Sequence, residues 1–327
     1  GPNSWRWNGG MKGRKGSVDE GGVRSPLLMQ WKGTLPAGET VAQIASAPDL
    51  LPTLTELAGI AFEPPKPLDG QSLAPLLTGD TAGWPDRLLV NHWRGKTSVR
   101  GQRFRLDPEG QLFDMLNDPG QRQNVAEDHP ETLSKMLAAQ QAFEAGPLAE
   151  LPATDNRAFP VGHPDFRFTQ LPARDAVVTG DIQRSNRWPN CSFYTNWQST
   201  EEEIYWEVEV LQAGTYDATF YHTCAPENTG VKMSLSFQDQ TLPFAVEQPH
   251  DPPARGMEND RYPRDVSPVK DFEPLEIGSI YLPEGKGRLV LNATEIPGRQ
   301  APDFRLLMLN RQAEAGRARC RQRFPGA

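Results

Sequence analysis

The chain has 327 residues, 34 Lys and Arg against 42 Asp and Glu, and a formal net charge of −8. Its mean hydropathy is −0.60 and no apolar run approaches the ~20 residues of a membrane-spanning helix, which excludes that class. The acidic balance argues against general nucleic-acid binding, which needs a basic footprint, and the length suggests two domains.

The first Met is Met11, inside a glycine-rich run, and no charged-then-apolar leader precedes it. The chain is therefore expected to be the downstream piece of a longer protein, or one whose start was processed or engineered. Up to Lys32 it carries six Lys or Arg against Asp19 and Glu20, a local charge of +4 inside an acidic protein. Glycines let backbone amides approach a ligand, and Lys12, Arg14, Lys15 and Arg24 supply charge for an oxyanion. Read on its own, the same run is more simply a solvated basic loop, since it is neither a P-loop nor a GxGxxG after a strand.

Leu50, Leu51, Leu54, Leu57 and Ala58 fall on one helical face, with Pro52 in the first turn and Gly59 as the stop. A short helix is expected over Gln71–Thr78, then strands over Arg87–Trp93, Thr97–Leu106 and Gln111–Met115, and a helix from about Glu131 to Glu144. Five prolines between 145 and 175 read as an extended connector, which places the domains at 1–150 and 175–327 with a linker over 151–174. Beyond it, residues 203–212, 214–222 and 231–238 alternate apolar and polar, and further strands are expected at 276–282, 287–293 and 303–310. Period-2 patterning between turns indicates an antiparallel sandwich or jelly roll. Within it, 249–273 is a long polar loop suited to docking or to ligand binding. Three Cys (Cys191, Cys224, Cys320) show no metal spacing; a Cys191–Cys224 disulfide and three free thiols explain the count equally.

Five motifs occur in an order that resembles the sulfatase family, the arylsulfatase branch of the alkaline phosphatase superfamily. They are Lys15-Gly-Ser17 with Glu20-Gly-Gly-Val-Arg24 and Pro26; Asp49-Leu-Leu-Pro-Thr-Leu54 through Leu57-Ala-Gly-Ile60; Leu68-Asp-Gly-Gln-Ser-Leu73; Val99-Arg-Gly-Gln-Arg-Phe-Arg-Leu106; and Leu112-Phe-Asp-Met-Leu-Asn-Asp-Pro119 with Asn124-Val-Ala126. The resemblance implies the C-terminal part of an α/β sulfatase domain with a small antiparallel sheet, followed here by the all-β jelly-roll sandwich. It further implies hydrolysis of a sulfate ester, of a small molecule or a polysaccharide, by a formylglycine nucleophile and Ca2+, in a periplasmic or extracellular setting. The nucleophile motif C/S-x-P-S-R is not in this chain, since Cys224-Ala-Pro-Glu-Asn228 shares only C-x-P, and the N-terminal metal carboxylates are also missing. The fragment is accordingly expected to lack both nucleophile and metal.

The resemblance carries over one catalytic residue, Lys15, as the sulfate-contacting lysine, with Lys12, Arg14 and His92 as candidate substrate contacts. A fixed ammonium there would stabilise charge developing on the sulfuryl and bridging oxygens. Arg24 reads as a structural ion pair at the entry to a buried strand. The remaining histidines, 129, 163, 222 and 250, have no metal spacing. In the second half the sandwich resembles carbohydrate-binding jelly rolls, and Trp188 and Trp197, flanked by amides including Asn196, are candidates for a sugar-stacking face. The alternatives are a non-catalytic carbohydrate-binding or structural protein, and a phosphoester or phosphonate hydrolase of the same superfamily.

Overall fold

The computed structural model describes residues 7–188, 190, 192–258 and 268–313. The chain divides into two units, Gly1–Thr154 and Asp155–Ala327.

The first unit begins with a glycine-rich loop that leads into a single helical turn, α1 (Glu20–Val23). From Arg24 to Gln30 the backbone is irregular and mostly exposed, so the buried strand expected after Arg24 is not formed by the described residues. Helices α2 (Leu50–Leu57) and α3 (Ala74–Leu77) follow. Contrary to the expectation from periodicity, Leu51 and Leu54 of α2 are exposed, whereas Thr53 and Asp49 point inward. The reason is a polar clasp. Asp49 Oδ1 accepts from Gln71 N at 2.9 Å, Thr53 Oγ1 from Leu73 N at 2.8 Å, and Asp49 Oδ2 pairs with Arg87 at 2.5 Å. Gly70 lies so close that an added Cβ would sit 2.0 Å from the Pro48 carbonyl oxygen. Burial alone would raise the Asp49 carboxyl, but Arg87 and the amides of Gln71 and Ser46 hold it below its ordinary value. Two of the five motifs are thus the two halves of one structural clasp.

Four antiparallel strands form a meander in sequence order: β1 (Leu89–Trp93), β2 (Lys96–Arg100), β3 (Phe104–Leu106) and β4 (Leu112–Asp114). The single strand expected over 97–106 is two, because Gly101 N donates to Phe104 O at 2.8 Å and closes a turn. Helix α4 (Pro130–Phe143) packs Met136, Leu133 and Leu137 onto Val99, Leu106 and Leu112. The fifth motif is a set of caps. Asp114 accepts from Arg103, Asn117 and the Leu116 amide, and Asp118 from the amides of Arg122 and Gln123. Asn124 accepts from the amides of Leu112 and Ala126.

The second unit is all β. It contains β5 (Phe159–Val161), β6 (Phe168–Pro172), β7 (Val177–Val178), β8 (Gln183–Arg184), β9 (Tyr194–Thr195), β10 (Glu203–Val210), β11 (Gly214–Thr223), β12 (Val231–Phe237), β13 (Gln240–Val246), β14 (Glu273–Leu282), β15 (Gly285–Glu295) and β16 (Asp303–Arg311). One sheet runs β13-β12-β15-β10-β5, with β7 also on β10; the other runs β14-β11-β16-β9-β8, with β6 also on β16. The inward positions of both sheets, Trp206 and Leu289 from one and Phe220 and Phe304 from the other, share one core.

The connector read over 151–174 is corrected here, because β5 and β6 lie within it. Val161 and Leu171 are core residues, and Pro160 sits on an edge strand, where a missing amide donor costs no ladder bond. The long polar loop stands between β13 and β14, pinned by bridges Cys224–His250 and Arg255–Val269. Cys191 and Cys320 lie outside the described residues; Cys224 is buried.

Candidate functional site

The basic loop is held from below by its own glycines. Asn8 Nδ2 donates to the carbonyls of Met11 and Gly13 at 2.7 and 2.9 Å, and Gly21 N donates to Lys12 O at 2.8 Å. A Cβ at Gly21 would meet Gly13 O at 2.5 Å, and one at Gly22 would meet Ser17 O at 2.1 Å. The Glu-Gly-Gly motif is therefore glycine because the loop backbone rests on α1.

At the loop tip Ser17 N donates to Arg14 O at 2.9 Å, closing a turn whose third residue, Gly16, has φ +89°. That backbone belongs to glycine. Lys15 is the second residue of the turn, exposed, and has no hydrogen bond or ion pair among the described residues. Arg14 is likewise exposed and unpaired among them.

Lys12 is placed differently from the expectation. Its Nζ lies 3.1 Å from Asp107 Oδ2, 3.6 Å from Asp19 Oδ1 and 5.1 Å from the centre of the Phe113 ring. Burial alone would lower the ammonium, but Asp107 and Asp19 raise it above its ordinary value. Paired in this way, Lys12 braces the loop. His92 also has partners within the unit. It is half-buried on β1, its Nδ1 is 3.0 Å from Thr97 Oγ1, and its ring lies 6.1 Å from that of Phe143 on α4.

The buried anchor of the loop is Glu20. Its Oε2 accepts from Arg105 Nη2 at 2.7 Å and Nε at 3.1 Å, and lies 3.4 Å from Arg100 Nε. Arg24 reaches Oε1 at 3.6 Å from the exposed side, so this arginine forms the expected ion pair. The Glu20 amide donates to Gln121 Oε1 at 3.0 Å. Arg105 Nη1 continues to the Val18 carbonyl at 2.9 Å, which also accepts from Ser98 Oγ at 2.7 Å. Burial lowers both Arg100 and Arg105, and the Glu20 carboxylate pushes back. Strands β2 and β3 thus grip the chain just after the Lys15 turn, at Val18 and Glu20. Sequence reasoning missed Glu20, Ser98 and Arg105. The signal was three arginines within the eight residues 99–106 of a half-buried strand, which need a buried carboxylate.

In the second unit Trp197 is 1% exposed, with its indole Nε1 donating to Glu202 O at 3.2 Å; it fills the core and cannot stack on a sugar. Asn196, with φ +60°, spends its amide on Asp181 O and Gln198. Trp188 is 41% exposed and carries the Arg187 guanidinium 4.9 Å from its ring centre. Among the described residues no group of three or more His, Cys, Asp or Glu is placed to hold a metal ion. None of their helices is long and apolar enough to cross a membrane.

Residues 14–142 match the family model of the C-terminal region of N-sulphoglucosamine sulphohydrolase. That stretch therefore belongs to the C-terminal part of sulfatases of the arylsulfatase branch. Arylsulfatase D of Homo sapiens is 43% identical over 87 residues, 26% of this chain and 15% of that protein. Arylsulfatase A of Bos taurus is 33% identical over 181 residues, covering 44% of this chain and 35% of the relative. The delta 4,5-hexuronate-2-O-sulfatase of Bacteroides thetaiotaomicron is 39% identical over 108 residues, 29% of this chain and 22% of its own length. The chain thus spans between about a seventh and a third of the length of these relatives.

Proposed function

We propose that the first unit is the sulfate-contacting end of a sulfatase that hydrolyses a sulfate ester, and that Lys15 is its catalytic residue in this chain. The carrying observation is the Lys15 turn itself: an ammonium without a partner among the described residues, on a glycine-fixed tip within the stretch that matches the sulfatase family. Charge grows on the sulfuryl and bridging oxygens as the ester bond breaks, and a pre-positioned ammonium stabilises it without reorganisation at that moment. Arg14 lies beside it as a second anion contact. Formylglycine would supply the nucleophile and Ca2+ a further positive charge in the complete enzyme; neither is built from the residues described here.

The same reading explains the apolar surface of this unit. Leu28 is 93% exposed, and Leu27, Trp31, Leu51, Leu54 and Ile60 are exposed with it. These exposed apolar side chains are read as parts of an interaction face, and the occupant proposed is the remaining α/β portion of the sulfatase domain. The second unit is read as a carbohydrate-binding jelly roll, which makes a sulfated glycan the first substrate class and the periplasm or cell exterior the setting.

Alone, the 327 residues are expected neither to turn over 4-nitrophenyl sulfate nor to take up Ca2+ stoichiometrically in a calorimeter. Supplying a sulfatase segment that carries C/S-x-P-S-R should restore turnover. Hydrolysis by the 327 residues alone would refute the fragment reading, and silence after complementation would count against the sulfatase reading.

A further inference from the structure

The second unit presents an outward sheet face that the loop-borne tryptophan does not account for. Across β6, β16, β11 and β14 the ladder register aligns Phe168, Asn310, Asp217 and Ser279 in one row. Tyr281 lies two residues beyond Ser279 on the same strand face. Phe168 is 60% exposed, with the Arg167 guanidinium 5.8 Å from its ring centre, and Tyr281 is 49% exposed, so each edge of the layer carries a solvent-accessible aromatic ring. Three strand spacings of ~4.8 Å separate those edges, about 14 Å, which is the reach of an oligosaccharide rather than a single sugar.

Between the rings the polar groups are fixed by one another. Asp217 Oδ1 accepts from Ser279 Oγ at 2.7 Å and from Gln312 Nε2 at 2.6 Å, and Asn310 Oδ1 accepts from Arg167 Nε at 2.6 Å. Asp217 Oδ2 and Asn310 Nδ2 have no protein partner among the described residues, which leaves one fixed acceptor and one fixed donor side by side. The hydrogen bonds from Ser279 and Gln312 hold the Asp217 carboxyl below its ordinary value, so it is an anion at neutral pH.

We propose that this face binds an uncharged glycan laid across the strands, its ring faces stacked on Phe168 and Tyr281 and neighbouring hydroxyls bonded to Asp217 and Asn310. Open aromatic faces with a few oriented polar groups match the apolar C–H surface and hydroxyl pairs of a sugar. Arg167, bonded to Asn310 and 5.8 Å from the Phe168 ring centre, offsets the Asp217 carboxylate, so this row carries no net charge and suits an uncharged glycan segment. This surface rests on the sugar-binding reading of the second unit and moves it from the Trp188 loop to the sheet.

The test is affinity electrophoresis of the full chain through gels containing laminarin, galactomannan, xylan or agarose, with heparin as the sulfated counterpart. Retardation by at least one unsulfated polysaccharide is expected. Phe168→Ala and Tyr281→Ala should each weaken it roughly three- to tenfold, while Trp188→Ala leaves it unchanged and circular dichroism shows all three variants folded. Loss of retardation with Trp188→Ala alone overturns the sheet face and leaves sugar binding standing; retardation by heparin only overturns the uncharged ligand. No retardation on any gel overturns both. A dimer in sedimentation that Phe168→Ala disperses would assign the face to a second copy of the chain and overturn the proposal.

Discussion

Glu20→Gln is expected to lower the local stability of the first unit by about 3–5 kcal/mol. The carboxylate is buried and is the common counter-ion of Arg105 and Arg100, themselves buried or nearly so, while Arg24 meets it from the solvent side. Glutamine keeps the size and removes the charge, leaving the buried Arg105 and the largely buried Arg100 guanidinium groups without their counter-ion. Surface pairs of the kind Lys135–Asp86 make would cost far less, about 1 kcal/mol at most. Because two units are present, one overall unfolding energy is ill defined, so the measurement is hydrogen exchange of the β2 and β3 amides. The amides of β10 and β15 serve as the internal reference. Protection in β2 and β3 should fall by about two to three powers of ten or more. Replacing Glu20 and Arg105 together by Met should recover part of the loss, since an apolar pair leaves fewer uncompensated charges behind. A fall of less than tenfold in the single variant would show that Glu20 is not the anchor.

Lys15→Ala should reduce kcat/KM for a sulfate ester by about 100- to 1,000-fold, the cost of removing one fixed donor to a developing oxyanion. The assay belongs in the complemented protein that turns over substrate. The side chain makes no hydrogen bond or ion pair among the described residues, so melting and β2–β3 exchange should not move; Gly16 and the Arg14–Ser17 hydrogen bond keep the turn. Lys15→Arg should recover only part of the rate, because a planar fork does not replace a compact ammonium on the same stem. Arg14→Ala should cost less, about tenfold. A Lys15→Ala variant within threefold of the parent would remove Lys15 from the reaction.

Much of the second unit was legible because a sheet with one buried face writes its register into the chain. Trp206, Val208 and Val210, then Tyr216, Ala218 and Phe220, alternate because those positions meet one core. Strand β13 was missed because its alternation is weak; Pro243 and Ala245 lie in it and few of its positions are buried. The first unit was legible by motif more than by period. Helix α2 shows why: its apolar stripe faces outward, and Asp49 and Thr53 take the inward side through hydrogen bonds that no hydrophobic pattern announces. At the site, the glycine-rich run pointed to the loop, and the resemblance through Lys15-Gly-Ser17 singled out Lys15 within it. What separates Lys15 from Lys12 is the company each keeps, and Asp107 comes from 95 residues away along the chain. Trp197 failed as a sugar platform for the same reason, since a polar neighbourhood in sequence does not reveal that an indole is turned into the core.

The edge strands β5 and β6 bear on where the chain can be cut. A polypeptide begun at residue 175, where composition alone would divide it, loses the parallel partner of β10 and the antiparallel partner of β16. It also loses Val161 and Leu171 from the core. The unpaired amides and carbonyls left on β10 and β16 would be open templates for a neighbouring chain. Such a piece would associate edge to edge in solution, whereas one begun at 155 keeps both borders closed by its own strands.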